Sequence, residues 1–142
     1  MTAKILVTGG AGFIGSEIVK QLSAHDEYEI RVLDALTKQI HGNNPEKSYL
    51  FQSIKDCCDF IRGDVRDFTT VQKALEGVDV VLHLAAETGT GQSMYMINQY
   101  NEVNVMGLSN IFQALSLKGE SNTIRKVCLL YTSPSPRDTE RS

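Results

Sequence analysis

The sequence predicts an α/β fold: a doubly wound parallel sheet in the order 3-2-1-4-5, with helices on both faces. Three observations predict it. Short apolar runs rich in β-branched residues alternate with stretches of helical spacing, which is the pattern of βαβ units. The first run, residues 4–8, is short, apolar and flanked by glycine, as suits a buried parallel strand. Glycines close the first and third runs, where chain must leave a sheet sharply. Right-handed crossovers then set the topology.

The elements follow in order. Residues 4–8 (KILVT) form the first strand, stopped by Gly9-Gly10-Ala11-Gly12. Residues 13–24 place Ile14, Ile18, Val19 and Leu22 on one helical face. Residues 29–33 form the second strand, ending at Asp34. Residues 35–56 are polar, hold Gly42, Asn43, Asn44 and Pro45, and are expected as one long loop. Residues 59–62 form a third strand closed by Gly63-Asp64, and Asp67 is placed to cap a helix running to about Glu76. Residues 78–84 form the fourth strand. Residues 92–117 are expected as one long helix with an apolar stripe of Ile97, Tyr100, Leu108, Ile111, Phe112 and Leu115. Residues 124–130 form the fifth strand.

Composition narrows the function. A net charge of -3 over 142 residues argues against a nucleic-acid surface. No apolar run approaches the ~20 residues of a membrane helix. The first residues enter a strand pattern at once, so no signal peptide is expected and the location is expected to be cytoplasmic. The three cysteines, Cys57, Cys58 and Cys128, have neither disulfide-framework nor zinc spacing and are expected as free thiols.

The residues that carry chemistry sit after the first strand. Gly9, Gly12 and Gly15 form G-x-x-G-x-x-G between a strand and a helix. Such a turn lets backbone approach a pyrophosphate without Cβ atoms in the way, and the helix N-terminus offers free N–H groups to the phosphates. Asp34 lies near the distance, about 20 residues on, at which a carboxylate accepts from ribose hydroxyls. A carboxylate there repels a 2′-phosphate, so NAD is favoured over NADP. Asp64 and Val65 follow the third strand at the same end of the sheet, placed for the adenine amino group and ring. His83, inside an apolar strand, is expected to be packed rather than catalytic. Together these features describe a Rossmann dinucleotide-binding fold, of which the resemblance below implies the N-terminal half only.

With these residues in place, the chain resembles the extended short-chain dehydrogenase/reductase family, in its nucleotide-sugar epimerase and dehydratase branch. The resemblance rests on residues 8–16 (TGGAGFIGS), 63–67 (GDVRD), 83–86 (HLAA) and 104–107 (NVMG). Residues 31–42 and 87–95 look most like dTDP-L-rhamnose 4-epimerases. The resemblance implies an NAD-dependent 4-epimerase acting on a dTDP- or UDP-sugar, with transient oxidation at C4, and a homodimer built on the long helix. It implies that Gly9, Gly12 and Gly15 hold the pyrophosphate with N–H groups of Phe13 and Ile14, and that Asp34 binds the adenosine ribose. It further implies that Asp64 and Val65 flank adenine, that Leu84, Ala85 and Ala86 line the cofactor, and that Thr88 lies near the nicotinamide. Asn104, seven residues from both Ile97 and Ile111, is expected on the apolar helix side, either near the catalytic lysine or as a core amide satisfied by backbone. No metal site is implied. A dehydratase of the same branch, or a non-catalytic NAD(P)-binding regulator, stays open.

The family's Tyr-x-x-x-Lys pair is absent: Val32, Ser53, Gln99, Asn104 and Ser135 stand four residues after the five tyrosines. The last residues suggest why. Residues 128–138 (CLLYTSPSPRD) read as a translated transposase sequencing adapter. The expectation is a truncated NAD-binding domain over residues 1–127, an adapter-derived tail over 128–142, and no catalysis by these 142 residues alone. A natural Ser/Pro-rich tail is the alternative.

Overall fold

The computed structural model describes residues 2–86 and 94–129. Its sheet has five strands: β1 (Ala3–Thr8), β2 (Tyr28–Asp34), β3 (Asp59–Arg62), β4 (Val80–His83) and β5 (Lys126–Leu129). They are parallel and ordered β3-β2-β1-β4-β5, the expected topology. The pleat divides the core in two, because successive side chains leave opposite faces of a strand. Ile5 and Val7 of β1, with Ile30 and Val32 of β2, pack on one face with Val19 and Ile54. Leu6 and Leu33 point to the other face, with Val71, Val81, Ile111 and Ala114. Full burial of one such side chain is worth about 1.5–3 kcal/mol.

Helices cover both faces. On the first lie α1 (Phe13–Ser23) and α3 (Tyr49–Ile54). On the second lie α4 (Phe68–Ala74) and α6 (Gly107–Lys118). Asp67 caps α4, its carboxylate accepting from the N–H groups of Thr69 at 3.1 Å and Thr70 at 3.4 Å. None of the helices among the described residues is long and apolar enough to cross a membrane.

Two expectations need correction. Residues 35–56 are not one loop. They contain a one-turn α2 (Lys38–His41), a 3-10 turn (Pro45–Lys47) and α3, whose cap is Ser48, accepting from Phe51 N–H at 3.2 Å. The six residues of α3 make under two turns, too short for its apolar residues to show a period. The long helix is also interrupted. A short α5 (Ile97–Asn101) runs into a π turn (Glu102–Met106) before α6 begins. A π turn takes up one extra residue. The fourteen steps from Ile97 to Ile111 then act as about thirteen α-helical steps, which put the two about 220° apart. Ile97 is accordingly 60% exposed while Ile111 is fully buried. The inward positions are Val103, Gly107, Ile111 and Ala114, and Phe112 of the expected stripe faces outward.

Candidate functional site

The site is built where β1, β2 and β4 end. Gly9 leaves β1 with a φ of +71°, and its N–H donates to Leu33 C=O at 2.8 Å, extending the β1–β2 ladder by one residue. A Cβ on Gly9 would stand 2.8 Å from Ala85 N and 2.9 Å from Leu84 C, so side-chain-free backbone is required against β4. The turn closes with Gly12 N–H on Gly9 C=O at 3.1 Å. A Cβ on Gly15 would meet the Gly9 carbonyl oxygen and would lie 2.8 Å from Gly10 Cα. Helix α1 starts at Phe13 with no side chain capping it. The first-turn N–H groups, Phe13 and Ile14 among them, have no intrahelical acceptor and carry the positive end of the helix dipole. Both side chains are exposed. A helix start of this kind is suited to an anion.

Asp34 ties the turn to β2. One carboxylate oxygen accepts from Ala11 N–H at 2.9 Å, the other from Leu36 N–H at 2.8 Å, and Leu36 takes a φ of +53°. The carboxylate is thereby held beside the glycine turn with lone pairs to spare for hydroxyl donors.

Thr8 ties the turn to β4, and sequence reasoning did not single it out. Its buried Oγ1 accepts from Leu84 N–H at 3.1 Å and Ala85 N–H at 3.2 Å, and stands 2.7 Å from His83 Nδ1. With both lone pairs occupied, the hydroxyl donates its one proton to Nδ1. His83 is therefore the neutral tautomer protonated at Nε2, packed at the strand end as expected rather than free to act as a base. Leu84 and Ala85 are half-buried and Ala86 is exposed, all within this corner. Thr88 lies outside the described residues.

Asp64 and Val65 lie further along the same sheet end, just beyond β3. The Asp64 carboxylate is gripped by Arg66, at 2.7 Å through Nη2 and 3.0 Å through Nε, which holds its pKa below the usual range. Val65 is only 5% exposed and packs in the core under Gly107, whose Cβ would stand 2.6 Å from Val65 Cγ2. Its side chain is thus core packing, not a free surface for an adenine ring. Asn110 was also missed: its amide donates to Val65 C=O at 2.9 Å and Arg66 C=O at 3.1 Å, binding α6 to this loop. Asn104 corrects another expectation. It is exposed, because the π turn moves Val103 into the inward position instead.

Two buried histidines set a pH dependence. His41 is 5% exposed, with Nδ1 2.7 Å from Ser48 Oγ and with Nε2 lacking a hydrogen-bond partner among the described residues. Burial pushes its pKa down, partly offset by Asp34, and burial also lowers that of His83. The unfolded chain titrates near 6.5, so below that pH it binds protons the folded chain refuses. Stability is expected to fall as pH drops from about 7 to about 5.5, by up to about 1.4 kcal/mol per pH unit per histidine. Denaturant midpoints at the two pH values check this; an equal or higher midpoint at the lower pH contradicts it.

Comparison with known proteins bears on this site. Residues 5–134 match the NAD dependent epimerase/dehydratase family. The chain is 37% identical over 118 residues to a dTDP-L-rhamnose 4-epimerase of Burkholderia thailandensis, covering 82% of the chain and 31% of that protein. It is 34% identical over 118 residues to a dTDP-glucose 4,6-dehydratase of Streptomyces niveus, covering 80% and 34%. A solved UDP-glucuronic acid 4-epimerase of Bacillus cereus, in complex with a UDP-sugar and NAD, superposes with a TM-score of 0.77 at 31% identity, over 92% of this chain and 40% of that one. The chain spans about a third of the length of the curated relatives it matches.

Proposed function

The chain belongs to the NAD dependent epimerase/dehydratase family, and from that premise we propose that the whole protein is an NAD-dependent nucleotide-sugar 4-epimerase. The observation that carries the reading is the 37% identity to a dTDP-L-rhamnose 4-epimerase over 82% of the chain. NAD, when bound, supplies a hydride acceptor and donor for transient oxidation of a sugar hydroxyl. In this reading the chain's own residues bind and orient: the Gly9–Gly15 turn and the α1 N-terminus hold the pyrophosphate, and Asp34 holds the adenosine ribose. No tyrosine of these 142 residues has a lysine four places on, so the reading assigns them cofactor binding, and no turnover is expected from them alone. The full-length protein should invert C4 of a dTDP- or UDP-sugar, followed by NMR of the product. Loss of water to a 4-keto-6-deoxy sugar would instead establish a dehydratase, the reading favoured by the 34% identity to a dTDP-glucose 4,6-dehydratase. Retention of the starting sugar with NAD bound would favour a regulator.

Asp34 makes a separate prediction. NAD should bind at least about tenfold tighter than NADP, a difference of about 1.4 kcal/mol. Titration of both by calorimetry tests it, and tighter NADP binding would overturn the assignment. A cytoplasmic location and a homodimer are part of the same proposal, the dimer supported by exposed Ile97 of α5, Met106 of the π turn and Phe112 of α6. We read residues 128–142 as adapter-derived; a genomic clone encoding them unchanged would refute that.

A further inference from the structure

The adenine end of the site holds one guanidinium with two carboxylates in reach. Arg66 presents Nε and Nη2 to Asp64, at 3.0 and 2.7 Å, and its remaining nitrogen, Nη1, to Glu102 of the π turn at 3.3 Å. The Asp64 oxygens also take Arg66 N–H at 2.8 Å and a second contact from Nε at 3.0 Å. A carboxylate offers about four lone-pair positions, and three Arg66 N–H groups crowd them, the single Nε–H shared between both oxygens. An adenine amino group therefore competes with Arg66 for Asp64. The pair is weak enough to yield, because both side chains are about a third exposed or more and solvent screens them. Arg66 also has somewhere to go, since Glu102 is already at hydrogen-bond distance and Asn110 holds the backbone carbonyl of Arg66 in place while the side chain moves.

We propose that Arg66 is a competitive latch on the adenine position, holding Asp64 in the empty site and turning wholly onto Glu102 when an adenine amino group takes its place. The inference rests on the reading that Asp64 accepts from adenine. It makes Arg66 and Glu102 determinants of selectivity for aminopurine dinucleotides, acting through Asp64 and not by touching the phosphates.

The experiment separates the two ideas. Full-length protein is titrated with NAD and with nicotinamide hypoxanthine dinucleotide, which lacks the exocyclic amino group. Wild-type protein should prefer NAD; equal affinity would remove the Asp64–adenine contact and the latch with it. Arg66→Gln should raise NAD affinity by about two- to fivefold, the scale of one exposed charge pair, and leave the hypoxanthine analogue unchanged. Glu102→Gln, at an exposed site on another element, should lower NAD affinity by a similar factor because Arg66 loses its second acceptor. A wild-type preference for NAD that neither substitution alters would keep Asp64 as an adenine contact and overturn the latch. Should Arg66→Gln fail to fold, the Glu102→Gln arm decides alone.

Discussion

Gly15→Ala is expected to abolish measurable NAD binding and to cost the fold about 2–4 kcal/mol, within the range for a forced clash in a packed interior. The added methyl would run into the Gly9 carbonyl oxygen and sit 2.8 Å from Gly10 Cα. Both obstacles are backbone, which cannot swing away as a side-chain tip can. Relief requires the turn to open, and Gly9 C=O is the acceptor for Gly12 N–H at 3.1 Å. Opening also pulls Ala11 N–H from Asp34, now held at 2.9 Å, and so loosens the expected phosphate and ribose contacts together. Denaturant unfolding gives the first number and NAD titration the second. A variant that binds within about twofold of wild type would show that the turn does not need a bare Cα at residue 15. Gly42 is the contrasting site: a Cβ there would have nothing within 4 Å, and with a φ of +75° only backbone strain opposes a side chain.

Thr8→Val should destabilise by about 2–4 kcal/mol with almost no change in shape, because it removes the hydroxyl and keeps the volume. Ala85 N–H would lose its acceptor and His83 Nδ1 its donor. Leu84 N–H would keep its second partner, Thr8 C=O at 3.0 Å. The buried His83 Nδ1 left unpaired costs about 1–3 kcal/mol, and the half-buried Ala85 N–H, which water can reach, about 1 kcal/mol. Thr8→Ser keeps the hydroxyl, loses a methyl and should cost only about 1 kcal/mol. Nitrogen chemical shifts of His83 give a second reading: Nδ1 should lose its hydrogen bond in the valine variant and retain it in the serine variant. Equal stability of the two variants would mean that the hydroxyl does not organise the β4 end.

The strands and the glycine turn were legible because their signals are dense and local. Residues 4–8 are apolar on both faces, and three glycines at fixed spacing follow at once. Asp34 was legible by its distance from that turn, though its bond to Ala11 N–H was not, since a side chain reaching 23 residues back leaves no mark on periodicity. Helix α3 was hidden by its brevity. The burial of Asn104 was misjudged because the heptad count assumes a regular helix, and a π turn changes phase with nothing inside Glu102–Met106 to announce it. Arg66 and Asn110 escaped because a polar residue at an exposed or half-buried position looks alike in sequence whether it points to water or to a neighbouring loop.

Most helices cannot lose a residue from their interior, since everything beyond the deletion rotates by about 100° and the buried face turns to water. The segment Glu102–Met106 is the exception in this fold. It already stores one residue more than an α-helical turn requires, and Asn104 and Val105 face solvent within it. Removing one of them would let the turn tighten while Ile97 stays outward and Ile111 stays inward. The molecule thus carries, above the loop of residues 64–66, a turn that can give up one residue without disturbing the packing on either side.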